Sequence, residues 1–196
     1  MTRRPIIVFS MLLGILLPLA HGIASAQPGY DPTAALSAQR AALRRLPAME
    51  GTWRGKARIL EPDGKWREHT QTERVGLMLD STLMVIEGRG YDAAGKKVFN
   101  AFAVVAFDTR KQAYAMRSYA MGNLGDFSFA PNDSGFVWEI PAGTMTIRYT
   151  ATVRDGKWRE VGERITPGQE PIRFIEMDLA RVGESDWPAA GAVLPK

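Results

Sequence analysis

Three observations predict a mainly β, antiparallel fold, a meander, sandwich or barrel of about ten short strands behind one short helix. From Thr52 onward apolar residues recur at every second position. Turn signals built on Gly, Asp, Asn and Pro interrupt that alternation at regular short intervals, without helical inserts. A helix-period stretch with a capping residue stands ahead of the first strand.

Residues 1–26 read as a secretory signal. Arg3 and Arg4 supply a basic start, Ile6 to Leu19 an apolar run interrupted by Gly14 and Pro18, and Ala24-Ser25-Ala26 a cleavage site. The run is short for a membrane span and ends in small residues, so no span is expected. Arg3-Arg4 ahead of Ile6-Ile7 also fits a twin-arginine signal, but paired arginines are ordinary here and the general route is preferred. The mature chain is therefore expected to be periplasmic or secreted. It contains no cysteine, so it must stand on packing alone, and a lipid anchor at the cleavage point is not expected.

Cleavage before Gln27 leaves 170 residues, one domain's worth. That part carries 23 basic and 21 acidic residues, a net of +2 with interspersed signs. Nucleic-acid binding needs a clustered basic stripe, which is missing, so no nucleic-acid partner is expected.

In order, residues 27–48 form a Pro/Gly lead-in and a helix. Asp31 or Thr33 caps it, Leu36, Leu43 and Leu46 mark its apolar face, Arg40, Arg44 and Arg45 favour its C-terminal end, and Pro47 stops it. It should pack across a barrel mouth or a sheet edge. In the first strand Trp53, Gly55, Ala57 and Ile59 alternate with Arg54, Lys56 and Arg58. Pro62-Asp63-Gly64 turns the chain into runs at about 65–75 and 82–91, on either side of a break at Gly76 to Asp80. Val98 to Phe107 is apolar at nearly every position and reads as a strand buried on both faces, under the helix. Further runs follow to Val182, and the tail 183–196 reads as loose. Asp63-Gly64-Lys65-Trp66-Arg67-Glu68 recurs as Asp155-Gly156-Lys157-Trp158-Arg159-Glu160, opening the second and ninth strands. These turns fall at opposite ends of a meander, so one local solution is used twice.

Met49-Glu50-Gly51-Thr52-Trp53-Arg54-Gly55 after a short helix resembles the opening of the calycin superfamily of lipocalins and fatty-acid-binding proteins. Val75-Gly76 to Ser81-Thr82 before Glu87-Gly88, Phe107-Asp108 ahead of Tyr114, Trp158-x-Glu160 and a last strand ending in Arg181 continue the order. Over residues 46–182 the chain thus resembles a family of uncharacterised secreted calycin-like bacterial proteins. The resemblance implies an up-and-down barrel of about ten strands, residues 49–182, with an interior cavity, one end plugged by Trp53 and Arg181 stacked over it.

Some calycin-like barrels bind haem through histidine. His69 is the single histidine of the mature chain, and alternation that points Trp66 and Glu68 inward sends it out, so no haem is expected. Without cysteine and with one histidine, a zinc site is not expected, and Asn132-Asp133-Ser134 reads as a turn rather than a calcium loop. No Gly-x-Ser-x-Gly elbow is present, and no catalytic residue is assigned. Glu87, Glu160, Glu163 and Glu176 lie in strands, where inward-facing pairs could do acid/base work or pair with Arg117 or Arg148. Phe136, Tyr114, Met116 and Met145 join the cavity candidates, with Gly55, Ala57, Ala113 and Ala115 leaving room. The expected ligand set is Trp138 and Tyr149 as walls, Arg117 and Glu160 as polar handles, and Tyr119. The leading reading is a carrier or binding protein for a small apolar or amphipathic molecule. A small hydrolase, isomerase or cyclase using barrel carboxylates, and a ligand-free interaction module, are the alternatives.

Overall fold

Alternation of apolar and polar residues gives each strand one dry face, and here the strands close on themselves to bury it. The computed structural model describes residues 31–187. One helix, α1 (Pro32–Leu43), precedes β1 (Gly51–Leu60), β2 (Trp66–Met78), β3 (Leu83–Tyr91), β4 (Lys97–Asp108) and β5 (Ala113–Ala120). There follow β6 (Asn123–Asn132), β7 (Gly135–Ala142), β8 (Met145–Arg154), β9 (Lys157–Ile165) and β10 (Ile172–Gly183). Each strand pairs antiparallel with the next and β10 returns to β1, a closed up-and-down barrel of ten strands. The secretory signal expected at residues 1–26 lies outside the described residues, as does the tail from 188.

Asp31 starts α1 by accepting from the Thr33 and Ala34 backbone N–H groups at 2.9 and 3.1 Å, and Pro32 takes the first turn. The end of the helix and the turn after it are buried. Ala42, Leu43 and Leu46 join Met49, Trp53 and Phe107 in one core, whereas Leu36 is 40% exposed. Tyr114 Oη donates to Ala42 O at 2.8 Å, Gln39 Nε2 to Phe107 O at 3.3 Å, and Arg40 Nε to Asp80 O at 2.9 Å. These bonds strap α1 across one end of the barrel.

Two expectations from the apolar runs are corrected. β4 alternates like the others, with Ala103, Val105 and Phe107 inside and Phe102 outside, 37% exposed. Its outer face is met by Trp187, whose ring lies 6.2 Å from that of Phe102. Gly76 does not break β2. A methyl on it would lie 2.6 Å from Trp187 Cβ, so the glycine makes room for the indole. The turn comes at Leu79, Asp80 and Ser81, all at positive φ. The first residues of the tail therefore dock, with Arg74 over the Trp187 ring and paired with Asp186 at 3.1 Å.

The outside of the wall is laced with cross-strand ion pairs such as Arg148–Glu139, Arg159–Asp178 and Arg117–Asp126. Each contributes little, but together they keep that face wet. The close approaches lie between strands. A methyl on Gly135 would fall 1.9 Å from the backbone oxygen of Ala151 on the neighbouring strand. Gly135→Ala should cost about 1–3 kcal/mol, seen as a lower thermal midpoint by circular dichroism.

Candidate ligand cavity

The end of the barrel away from α1 is not filled. A cavity of about 640 Å³ runs inward from the β5–β6 hairpin, where Met121 and Leu124 are exposed at its rim. β6 and β7 pair only from Ser128/Glu139 to Asn132/Gly135, so they part toward this mouth, beside Leu124, Phe127 and Ile140. The floor is aromatic. Trp158 and Phe136 meet edge to face at 5.9 Å, and Phe136 stacks on Phe129 at 4.9 Å.

Trp53 lies behind the floor, 2% exposed, its ring edge-on to Trp158 at 5.8 Å and its Nε1 donating to Met49 O at 2.8 Å. It blocks the helix end of the barrel. Arg181 pairs with Trp53 across the strands, but its guanidinium donates to Glu50 O and pairs with Glu184. That bonding, rather than a stack on the indole, is what holds Arg181.

Three polar groups of the lining come from β2, where His69, Gln71 and Glu73 alternate inward and are buried. Gln71 Nε2 donates to Glu73 Oε1 at 2.7 Å, and Gln71 Oε1 lies 3.1 Å from His69 Nε2. This row rests on two bare stretches of β3. A methyl on Gly88 would come 2.7 Å from Glu73 Oε1, and one on Gly90 would come 2.7 Å from His69 Cδ2. Burial pushes the Glu73 carboxyl up to about 8; the bond from Gln71 opposes this, and the charges of Glu160 and Glu87 add to it.

Glu160 of β9 is the second acid. Its Oε1 accepts from Trp138 Nε1 at 3.0 Å and its Oε2 from Trp158 Nε1 at 3.2 Å. Burial raises its pKa against those two bonds. Trp138 lies flat on Tyr149, centroids 4.0 Å apart and planes within 3°. Burial, then Glu160, raise the Tyr149 hydroxyl to about 12, while Arg164 works against them.

Of the expected ligand set, Trp138, Tyr149 and Glu160 line one cavity. Arg117 and Tyr119 do not. They occupy the outward parity of β5, Arg117 paired with Asp126 and Tyr119 45% exposed. Ala113 and Ala115 share that outer face, while Met116 and Ser118 point in. Tyr114 points in as well but is used at the closed end, against Phe107 and α1. Among the carboxylates, Glu87 pairs outside with Arg89, and Glu176 outside with Arg58. Glu163 takes the same outward parity as Val161, opposite Arg148.

His69 is also corrected, from outward to inward. Arg58 lies over the Trp66 ring at 4.7 Å and Lys56 pairs with Glu68 at 2.7 Å, which holds Trp66 and Glu68 outside and sends His69 in beside Ala57. The Nε2 of His69 lies 3.1 Å from Gln71 Oε1, and among the described residues neither lysine nor arginine lines the cavity. Glu73, Gln71, Phe129 and Trp158 are among the site residues that the sequence reading missed.

No family model matches the chain, and no curated protein matches it. Among solved structures it is similar to the crystal structure of Rv2717c from M. tuberculosis, with a TM-score of 0.53 and 10% sequence identity, over 74% of this chain and 97% of that one. At that identity the likeness is one of fold.

Proposed function

We propose that this chain is an exported binding or carrier protein that holds a small, largely apolar molecule with a polar group inside its barrel. The cavity carries the reading. About 640 Å³ is a ligand-sized volume, and its mainly apolar lining holds a few converging polar groups, the pattern of small-molecule sites. The secretory pattern of residues 1–26 and the calycin-like order of motifs belong to the same reading.

Native mass spectrometry of protein purified from an exporting host tests it. The polypeptide should begin at Gln27 and carry extra mass that disappears on denaturation. Ala101 faces the cavity, and Ala101→Trp should remove that extra mass while leaving the fold intact by far-UV circular dichroism. Bare wild-type protein that also fails to take up apolar probes would end the proposal.

A second reading has one specific observation in its favour. Two acids, the buried Glu73 and the half-buried Glu160, face one cavity with raised pKa values, as acid/base enzymes arrange them. If the barrel is such an enzyme, the molecule released by Glu73→Gln or Glu160→Gln protein should differ chemically from that released by wild type. Identical molecules leave the carrier reading alone.

A further inference from the structure

We infer that the cavity selects a monocationic amphipath, an apolar body bearing one protonated amine, whose ammonium sits against Glu73 Oε2 with Glu160 across from it. This rests on the carrier reading and names its ligand class.

The inventory of charge in the cavity supports it. Among the described residues the lining holds Glu73, Glu160 and His69 and neither lysine nor arginine. Two arginines take inward positions near the mouth, and both are engaged. Arg164 lies over the Phe174 ring at 4.6 Å, and Arg67 pairs with Glu61 at 2.9 Å. A carboxylate or phosphate drawn in as far as Glu73 would face two acids, the nearest inward cation being Arg164, whose charge acts on the wall at Tyr149 toward the mouth.

The hydrogen bonding of the two acids then separates their roles. Glu160 has an indole N–H on each oxygen, so it is already satisfied. Glu73 is satisfied on one side only. The row from His69 through Gln71 delivers its single donor to Oε1, and Oε2 receives no hydrogen bond among the described residues. Gly88 gives that carboxylate its place without a side chain over it. An ammonium would supply the missing donor and the compensating charge together, which a neutral alcohol cannot.

Proton linkage adds a signature. The groups that face or reach Glu73 are His69 and Gln71 on its own strand, Glu160 across the cavity, and Glu87 acting from the outer side of β3. Because Glu73 holds its proton up to about pH 8, an ammonium must displace that proton, and amine affinity rises with pH toward that value.

Calorimetric titration of the mature protein with decylamine, 1-decanol and decanoate tests this, the three probes sharing one chain under a cationic, neutral or anionic head. At pH 8.5 decylamine should bind about tenfold or more tighter than either of the others, and the margin should shrink at pH 6.5. Glu73→Gln should bring decylamine to within about threefold of decanol, and an unchanged far-UV circular dichroism spectrum reports that the variant is folded. Decanoate binding as tightly as decylamine, or an undiminished amine preference in Glu73→Gln, overturns the inference while decanol binding leaves the carrier reading standing. If no probe binds, the carrier reading falls and the inference with it.

Discussion

Raising the pH from 5 to 9 will remove on the order of 4 kcal/mol of folding stability, and Glu73 is the main source of the loss. Its carboxyl titrates at about 8 in the fold against 4.5 for an unburied group. Between those values the folded chain binds a proton that the unfolded chain has released. Stability therefore falls as pH rises, fully present below 4.5 and gone above about 8. At roughly 1.36 kcal/mol for each unit, the part of that interval between pH 5 and about 8 gives the magnitude. Glu160 is shifted in the same direction and adds to the slope. Asp108, Glu176 and Glu184 are shifted downward, so their losses occur in acid, outside this window. Urea unfolding at pH 5, 7 and 9 measures the effect. Glu73→Gln should flatten most of it and be more stable than wild type at pH 9; a wild-type midpoint that does not move would mean that Glu73 is solvated.

Trp53→Ala is expected to cost about 3–5 kcal/mol, as large aromatic truncations in dry cores do. The indole is 2% exposed, and its loss also leaves the Met49 carbonyl without its donor. Trp158 would lose the ring that backs it, so the cavity floor should sag into the space. Trp53→Phe keeps an aromatic edge there and should cost less than half as much. Urea midpoints with an unchanged denaturant slope would show the difference, and a loss under about 1 kcal/mol for the alanine variant would mean the plug is dispensable.

The strand pattern, the helix and the position of Trp53 were legible because each rests on local signals, period, cap and turn. Strand parity was harder. In β5 both parities carry aromatic or small residues, Tyr114 and Met116 on one side, Tyr119 and Ala115 on the other. Hydrophobicity alone cannot choose between them, and Arg117 and Tyr119 were assigned to the wrong face. In β2 the signal was present. Leu60 pairs with Trp66 across the turn, which sets Ala57 opposite His69 and makes both inward. The expectation of an inward Trp66 runs against this register, and Arg58 covers that ring from outside. Glu73 gave no local sign at all. Its role depends on Gly88 in the next strand and on Glu160, three strands away around the ring.

Closure of the ring joins the first strand to the last, Trp53 opposite Arg181. Every other strand pairing is between chain neighbours and needs only a short loop to form. The seam between β1 and β10 is the single long-range step, and until it forms both strands expose an unpaired edge. Nine of these strands paired in order make an open sheet, and the tenth makes it a vessel.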